Sequence, residues 1–235
     1  MMKHINYGID GPKFVRNLFL SSSLFFGITI FIPGNEQVVI SVVLGCGFLC
    51  LAEGLLMLLY AKKGKFNHRD RMLSLVHWTG KERVLDVGTG LGLLMIGAGK
   101  RLTSGKAIGI DIWNKDDLSG NSSGKARRNA ELENVAARIE INEGNILRTD
   151  FPDDGFDVVL SNLCLHNVGG KENRKAACNE IHRILKKNGV AIISDIIHCN
   201  EYKAEFIRLG MSAEKIGTFY LDTFQPLTII KAVKN

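Results

Sequence analysis

Two long apolar runs open the chain and a regular alternation of short apolar stretches with amphipathic ones follows. Leu18 to Ile32 and Val38 to Tyr60 are almost free of charge and are separated by the polar turn Pro33-Gly34-Asn35-Glu36-Gln37. At about 1.5 Å per residue the second run makes a helix of roughly 34 Å, enough to cross the hydrocarbon core of a bilayer. The first is shorter and reaches that span only with Asn17 and the Pro33-Gly34 turn, Arg16 snorkelling at its end. After a linker expected at Ala61 to Asn67, the pattern predicts a helix over His68 to Val76, a strand ending at Val87, a helix over Gly92 to Arg101, and a strand Ala107 to Asp111. A polar loop, Ile112 to Ser123, leads to a helix capped by Ser122 or Ser123 and running to about Asn134. Strands at Ile139 to Asn142, Asp157 to Ser161 and Val190 to Ser194 follow, with a helix over Ala176 to Leu185 stopped by Asn188-Gly189 and another over Glu201 to Leu209. Ile216 to Leu221 and Leu227 to Val233 close the chain as two strands around a turn holding Pro226.

This order predicts an α/β fold: a Rossmann-like seven-stranded sheet, mostly parallel with one antiparallel strand, preceded by an N-terminal two-helix transmembrane hairpin. The expected division is a membrane-anchoring hairpin over residues 1–65 and a catalytic domain over 66–235. Lys13 and Arg16 precede the first apolar run, Lys62, Lys63, Lys65, Arg69 and Arg71 follow the second, and the turn between has no basic residue. The positive-inside bias then places the N-terminus and the catalytic domain on the cytoplasmic side of a multi-pass membrane protein. A cleaved signal peptide fits less well, because a second and longer apolar run stands where a cleavage site would be. Glu53, alone inside the second run, reads either as a functional polar site or as a carboxyl that is protonated or faces the first helix.

Composition changes this picture little. The 235 residues carry a formal charge of +6, but Lys and Arg are scattered apart from clusters flanking the apolar runs and at Lys125-Arg127-Arg128, so no nucleic-acid partner is expected. The five cysteines form no C-x-x-C pair and lack histidines at zinc spacing, so they read as buried thiols in a reducing compartment and no metal site is expected.

The chemistry concentrates at Val84-Leu85-Asp86-Val87-Gly88-Thr89-Gly90-Leu91-Gly92 and at Asp111. A glycine-rich strand-to-helix turn lets backbone approach a ligand, and an acid at the tip of the next strand suits a ribose diol. Leu93 stands where a dinucleotide fingerprint needs glycine, which disfavours NAD.

Together with Gly144-Asn145-Ile146 and Phe156 to Asn162, this run resembles the class I S-adenosylmethionine-dependent methyltransferases over roughly residues 66 to 235. The resemblance implies that Asp86, Gly88, Thr89, Gly90 and Gly92 pass under the methionine part of S-adenosyl-L-methionine. It also implies that Asp111 and Ile112 meet the ribose and its surroundings, that Asn145 and Ile146 flank adenine, and that Asn162 touches the cofactor. Asn145 departs from the aspartate often found in the family, yet an amide still both donates and accepts.

His166 is the candidate catalytic base, or else a structural histidine capping the next helix or pairing with a backbone carbonyl. Asp195 and His198 after the fifth strand read as acceptor-pocket residues or as ordinary loop residues. Ser161-Asn162-Leu163-Cys164 replaces the N-P-P-Y-type tetrad of related amino-methyltransferases, which argues against DNA adenine and protein glutamine as acceptors. The expected function is therefore methyl transfer to a small, lipophilic or membrane-associated acceptor: a quinone precursor, phospholipid head group, sterol, terpenoid or apolar thiol. The alternatives are methylation of a membrane protein or RNA, and a non-catalytic cofactor-binding scaffold.

Overall fold

The computed structural model describes residues 5–235; residues 1–4 of the expected hairpin domain lie outside the described residues. Its centre is a seven-stranded sheet in the order β3-β2-β1-β4-β5-β7-β6. The strands are β1 Arg83–Val87, β2 Lys106–Asp111, β3 Ile139–Glu143, β4 Phe156–Asn162, β5 Leu185–Asp195, β6 Ser212–Phe219 and β7 Leu227–Val233. The first five run parallel and β7 is antiparallel to both neighbours, as the closing pair of strands led one to expect. β1 is buried from Val84 to Val87 because helices cover both faces of the sheet.

On one face lie α3 (Lys65–Ser74), α4 (Leu93–Gly99) and α5 (Ser123–Leu132), with Met72, Leu73, Met95, Ile96 and Ala130 in the core. On the other lie α6 (Lys171–Ile184) and α7 (Cys199–Arg208), which contribute Ile181, Ile184, Tyr202 and Phe206. Ser122 caps α5, its hydroxyl accepting from the Lys125 backbone N–H.

Three expectations are corrected. Helix α6 starts at Lys171, because its polar first turn is solvent-facing and carries no apolar period. It also ends at Ile184, so Asn188-Gly189 is no helix stop. That pair lies inside β5, where the register against β4 shifts between Phe156 and Val158 and Asn188 takes a positive φ. It forms an irregularity of the bulge kind. β6 begins at Ser212, four residues early, as a polar edge strand of the sort that resists edge-to-edge association.

Ahead of the sheet stand α1 (Pro12–Ile28), a short 3-10 turn, and α2 (Gln37–Leu59). They pair as a hairpin in which Gly47 and Gly54 of α2 face the rings of Phe26 and Phe19, and a Cβ at either glycine would collide with a ring. By length and composition both helices are sufficient to cross a membrane, and only 17% of the most apolar window of each is buried. Leu24, Phe31, Val42, Phe48, Leu49 and Leu59 face outward. Glu53 is exposed too, so it does not face α1.

The linker expected at Ala61 to Asn67 does not exist. A π turn, Tyr60–Gly64, carries α2 directly into α3. His68 of α3 is buried on the sheet, its Nε2 2.7 Å from Ser194 Oγ. The chain before α1 likewise packs onto the loop after β2 and onto α3. Asp10 bridges to Leu118, Gly11 N–H donates to the Asp117 carbonyl, Ser119 N–H donates to the Ile9 carbonyl, and Lys65 Nζ donates to the Tyr7 and Gly8 carbonyls. Residues 5–11 thus form a strap over the loop between β2 and α5.

Candidate active site

The carboxy ends of the parallel strands open into a cavity of about 540 Å³, where ligands of open α/β sheets bind. The turn after β1 forms its floor. Gly88 and Gly90 have φ of 71° and 53°, a region side chains avoid. A Cβ at Gly88 would run into Cys164 and one at Gly90 would come within 2.8 Å of Leu118 Cδ2, so only glycine leaves the floor open. The Gly88 N–H is held by the Ile110 carbonyl at 2.9 Å, which ties the turn to the end of β2.

At that end sits Asp111, buried, its Oδ2 accepting from the Gly90 N–H at 2.8 Å. Its Oδ1 accepts from the Trp113 N–H at 2.6 Å and from Asn121 Nδ2 at 3.3 Å. The acid and the glycine bend are therefore in direct contact, in one cavity.

Among the expected cofactor residues, Gly88, Gly90, Asp111, Ile112, Asn145, Ile146 and Asn162 line the cavity. Asp86, Thr89 and Gly92 are not part of its wall. Asp86 lies beneath the turn, where its Oδ2 accepts from Thr89 Oγ1 at 2.7 Å and from the Met95 N–H at 2.9 Å. It fixes the turn and the start of α4. Burial pushes its pKa up to about 7, against the pull of those two donors. Asn145 spends its side-chain oxygen on the Leu147 N–H, which leaves its amide nitrogen to donate.

His166 lies in a 3-10 turn, Leu165–Val168, just past β4 and lines the cavity. Its Nδ1 is 2.6 Å from Asp195 Oδ1, and its backbone N–H donates to Asp195 Oδ2 at 3.0 Å. Asp195 is fully buried at the end of β5 and also accepts from the Ile196 N–H and Tyr202 hydroxyl. An ionised carboxylate can only accept, so the contact with Asp195 selects the tautomer of the neutral ring that has the proton on Nδ1 and the lone pair on Nε2. Asp195 is thus behind the cavity, holding the histidine, and not in its wall. His198 is away from the wall as well, at the start of α7 with Nδ1 3.0 Å from Glu201 Oε1. Burial raises the Cys164 thiol pKa, so it stays protonated.

Residues that sequence patterns did not point to complete the cavity: Asp10, Gly11 and Phe14 from the strap and α1, Met57 from α2, Tyr60 from the π turn, Asn121 in the polar loop, and Phe224 and Gln225 between β6 and β7. Nothing local marks them, since each reaches the site by long-range packing. Among the described residues the wall has four carboxylates, Asp10, Asp111, Asp116 and Asp117, and neither Lys nor Arg. Asn121 Oδ1 and Asn162 Oδ1 are buried without a hydrogen-bond partner, two acceptors awaiting a donor. A glycine floor, an acid at diol position, orphan acceptors and a negative wall fit a cationic nucleoside such as S-adenosylmethionine.

Residues 85–193 match the family model of a methyltransferase domain. The ribosomal protein L11 methyltransferase of Dictyoglomus thermophilum is 40% identical over 48% of this chain and 32% of its own length. The demethylmenaquinone methyltransferase of Symbiobacterium thermophilum is 29% identical over 68% and 57%. This chain therefore spans between about a third and somewhat over half of these relatives' lengths. A SAM-dependent methyltransferase structure from Aquifex aeolicus superposes with a TM-score of 0.56, at 15% identity, covering 71% of this chain and 89% of that one. Residues 85–193 thus carry a methyltransferase domain, in a fold shared with S-adenosylmethionine-dependent methyltransferases and beside a cavity suited to that cofactor.

Proposed function

We propose that the protein is a membrane-anchored methyltransferase that transfers the methyl group of S-adenosylmethionine to a small lipophilic acceptor. One observation carries this reading: the cavity that holds the glycine floor and Asp111 is also walled by Phe14 and Met57 of the two apolar helices and by Tyr60 of the π turn that follows. An acceptor dissolved in the bilayer would meet the cofactor site without a lid or a separate recognition domain. The relative named for demethylmenaquinone supports a small acceptor; the relative named for a ribosomal protein is the counterweight.

In this reading α1 and α2 cross the membrane and both hairpin ends face the cytoplasm, on the side marked by Lys13, Arg16, Lys62 and Lys63. Asp111 would take the ribose hydroxyls, Ile112 and Ile146 the faces of adenine, Asn145 a ring nitrogen through its amide N–H, and Asn162 Oδ1 a donor on the methionine part. The bound cofactor supplies an electrophilic methyl on a sulfonium, and much of the acceleration comes from alignment of the acceptor with it. His166, its tautomer set by Asp195, takes the acceptor's proton through Nε2.

The test is to incubate membranes containing the protein with methyl-labelled cofactor. Label in solvent-extractable lipid is expected. Label confined to protein or RNA would replace the small acceptor by a macromolecule; binding of S-adenosylmethionine with no label transferred would leave a cofactor-binding scaffold, and no calorimetric binding would leave a scaffold without this cofactor or a different ligand.

A further inference from the structure

The loop between β6 and β7 carries two consecutive large apolar residues with no cover: Tyr220 is 67% exposed and Leu221 fully exposed. It is nevertheless held in place from both sides. Asp222 accepts from Arg71 of α3 at 2.6 Å, and the Asp222 carbonyl packs so closely on Gly64 of the π turn that no Cβ would fit there. Phe224 packs against Val15, Leu18 and Met57 of the hairpin. The tip therefore sits beside the π turn, where the apolar run of α2 gives way to Lys62 and Lys63, both exposed. An aromatic residue, a leucine and two lysines at the level where a spanning helix leaves hydrocarbon are the residue types of a bilayer interface.

Building on the membrane-anchored reading, we infer that this loop is a second membrane contact. Tyr220 and Leu221 enter the interfacial layer of the leaflet from which α2 emerges, while Lys62 and Lys63 lie on anionic phospholipid head groups. The occupant is the bilayer itself, argued from continuity with the outward apolar surface of the hairpin and from the charge beside the tip. The contact would fix the tilt of the catalytic domain. Phe14 and Gln225, exposed parts of the cavity wall, would then face lipid and not bulk water.

Depth-dependent quenching tests this on the full chain in bilayers of equimolar phosphatidylcholine and phosphatidylglycerol. Leu221→Trp is compared with the unsubstituted protein, and Val42→Trp, an exposed position in the second turn of α2, reports on the hairpin. The fluorescence added by Leu221→Trp should be blue-shifted and lost to lipids brominated near the head group, and this quenching should weaken with Lys62→Glu plus Lys63→Glu or without the anionic lipid. Quenching of the Val42→Trp protein without quenching of the Leu221→Trp protein overturns the second contact while leaving the hairpin in place. If neither is quenched, the membrane-anchored reading fails and takes this inference with it.

Discussion

Replacing Asp111 by Asn changes almost nothing in shape and removes one accepting oxygen. In the protein both oxygens are already engaged by donors only: Gly90 N–H on Oδ2, Trp113 N–H and Asn121 Nδ2 on Oδ1. Whichever way the new amide turns, its NH₂ faces a backbone N–H, so one donor is orphaned. A cofactor hydroxyl that used the lone pairs on that side loses its acceptor as well. A hydrogen bond to a charged group contributes about 1.5–3 kcal/mol, so Asp111→Asn should weaken S-adenosylmethionine binding roughly ten- to a hundredfold. Titration calorimetry on the full chain in detergent measures this, with thermal unfolding of the same samples as a check that the turn still folds. Because the ribose is shared, S-adenosylhomocysteine should lose affinity by the same factor. A through-space charge effect would instead penalise the sulfonium form more. An Asp111→Asn protein that folds and binds both ligands as tightly as the parent would show that the carboxylate only props the glycine bend.

Asp195→Asn should lower turnover by about 10²–10⁴ while leaving cofactor affinity unchanged, because it disturbs the His166 tautomer without touching the cavity wall; initial rates of label transfer decide it, and undiminished turnover would make the pair structural. Asp86 gives a pH effect. Its folded pKa, near 7, lies above the ordinary carboxylate value, so between about 4 and 7 the folded state binds more protons and stability falls as pH rises through that window. Denaturation midpoints across the window should show that slope, and Asp86→Asn, whose side-chain oxygen still accepts from Thr89 and Met95, should flatten it. Gly64→Ala should cost about 1–3 kcal/mol, since its Cβ would strike the Asp222 carbonyl; an unshifted melting temperature would mean that the β6–β7 loop simply yields.

Elements whose apolar positions recur along the sequence were readable there: the strands, the two long helices, the Ser122 cap, the glycine bend and the acid facing it. What escaped was of two kinds. Local signals misled where one pair of residues serves two purposes. Asn188-Gly189 suits a helix end and a strand irregularity equally, and only pairing with β4 separates them. The polar first turn of α6, Lys171 to Arg174, similarly has no inward face to reveal it. The other kind is distance in sequence. Asp86 and Thr89 share a motif with Gly88 and Gly90 yet point beneath the turn, and Asp10, Phe14 and Tyr60 reach a cavity whose other walls lie far along the chain.

The missing linker matters most for how the parts act together. A flexible joint at residues 61–67 would let the sheet domain tumble beside the hairpin, and on the proposed function a lipophilic acceptor would then have to leave the bilayer to be methylated. Instead one helical path runs from Gln37 to Ser74. Lys65 pairs with Asp10 of the strap at 2.9 Å, His68 bonds to the end of β5, and Arg71 holds the β6–β7 loop. Each contact is made within about three turns of the end of the apolar run, so the hairpin, the strap and the sheet are clamped at one place, directly beside the cavity. Whatever orientation the apolar helices take, the glycine floor and His166 take with them. On the proposed function the hairpin is part of the acceptor site, and shortening or loosening the junction should impair acceptor turnover before it impairs cofactor binding.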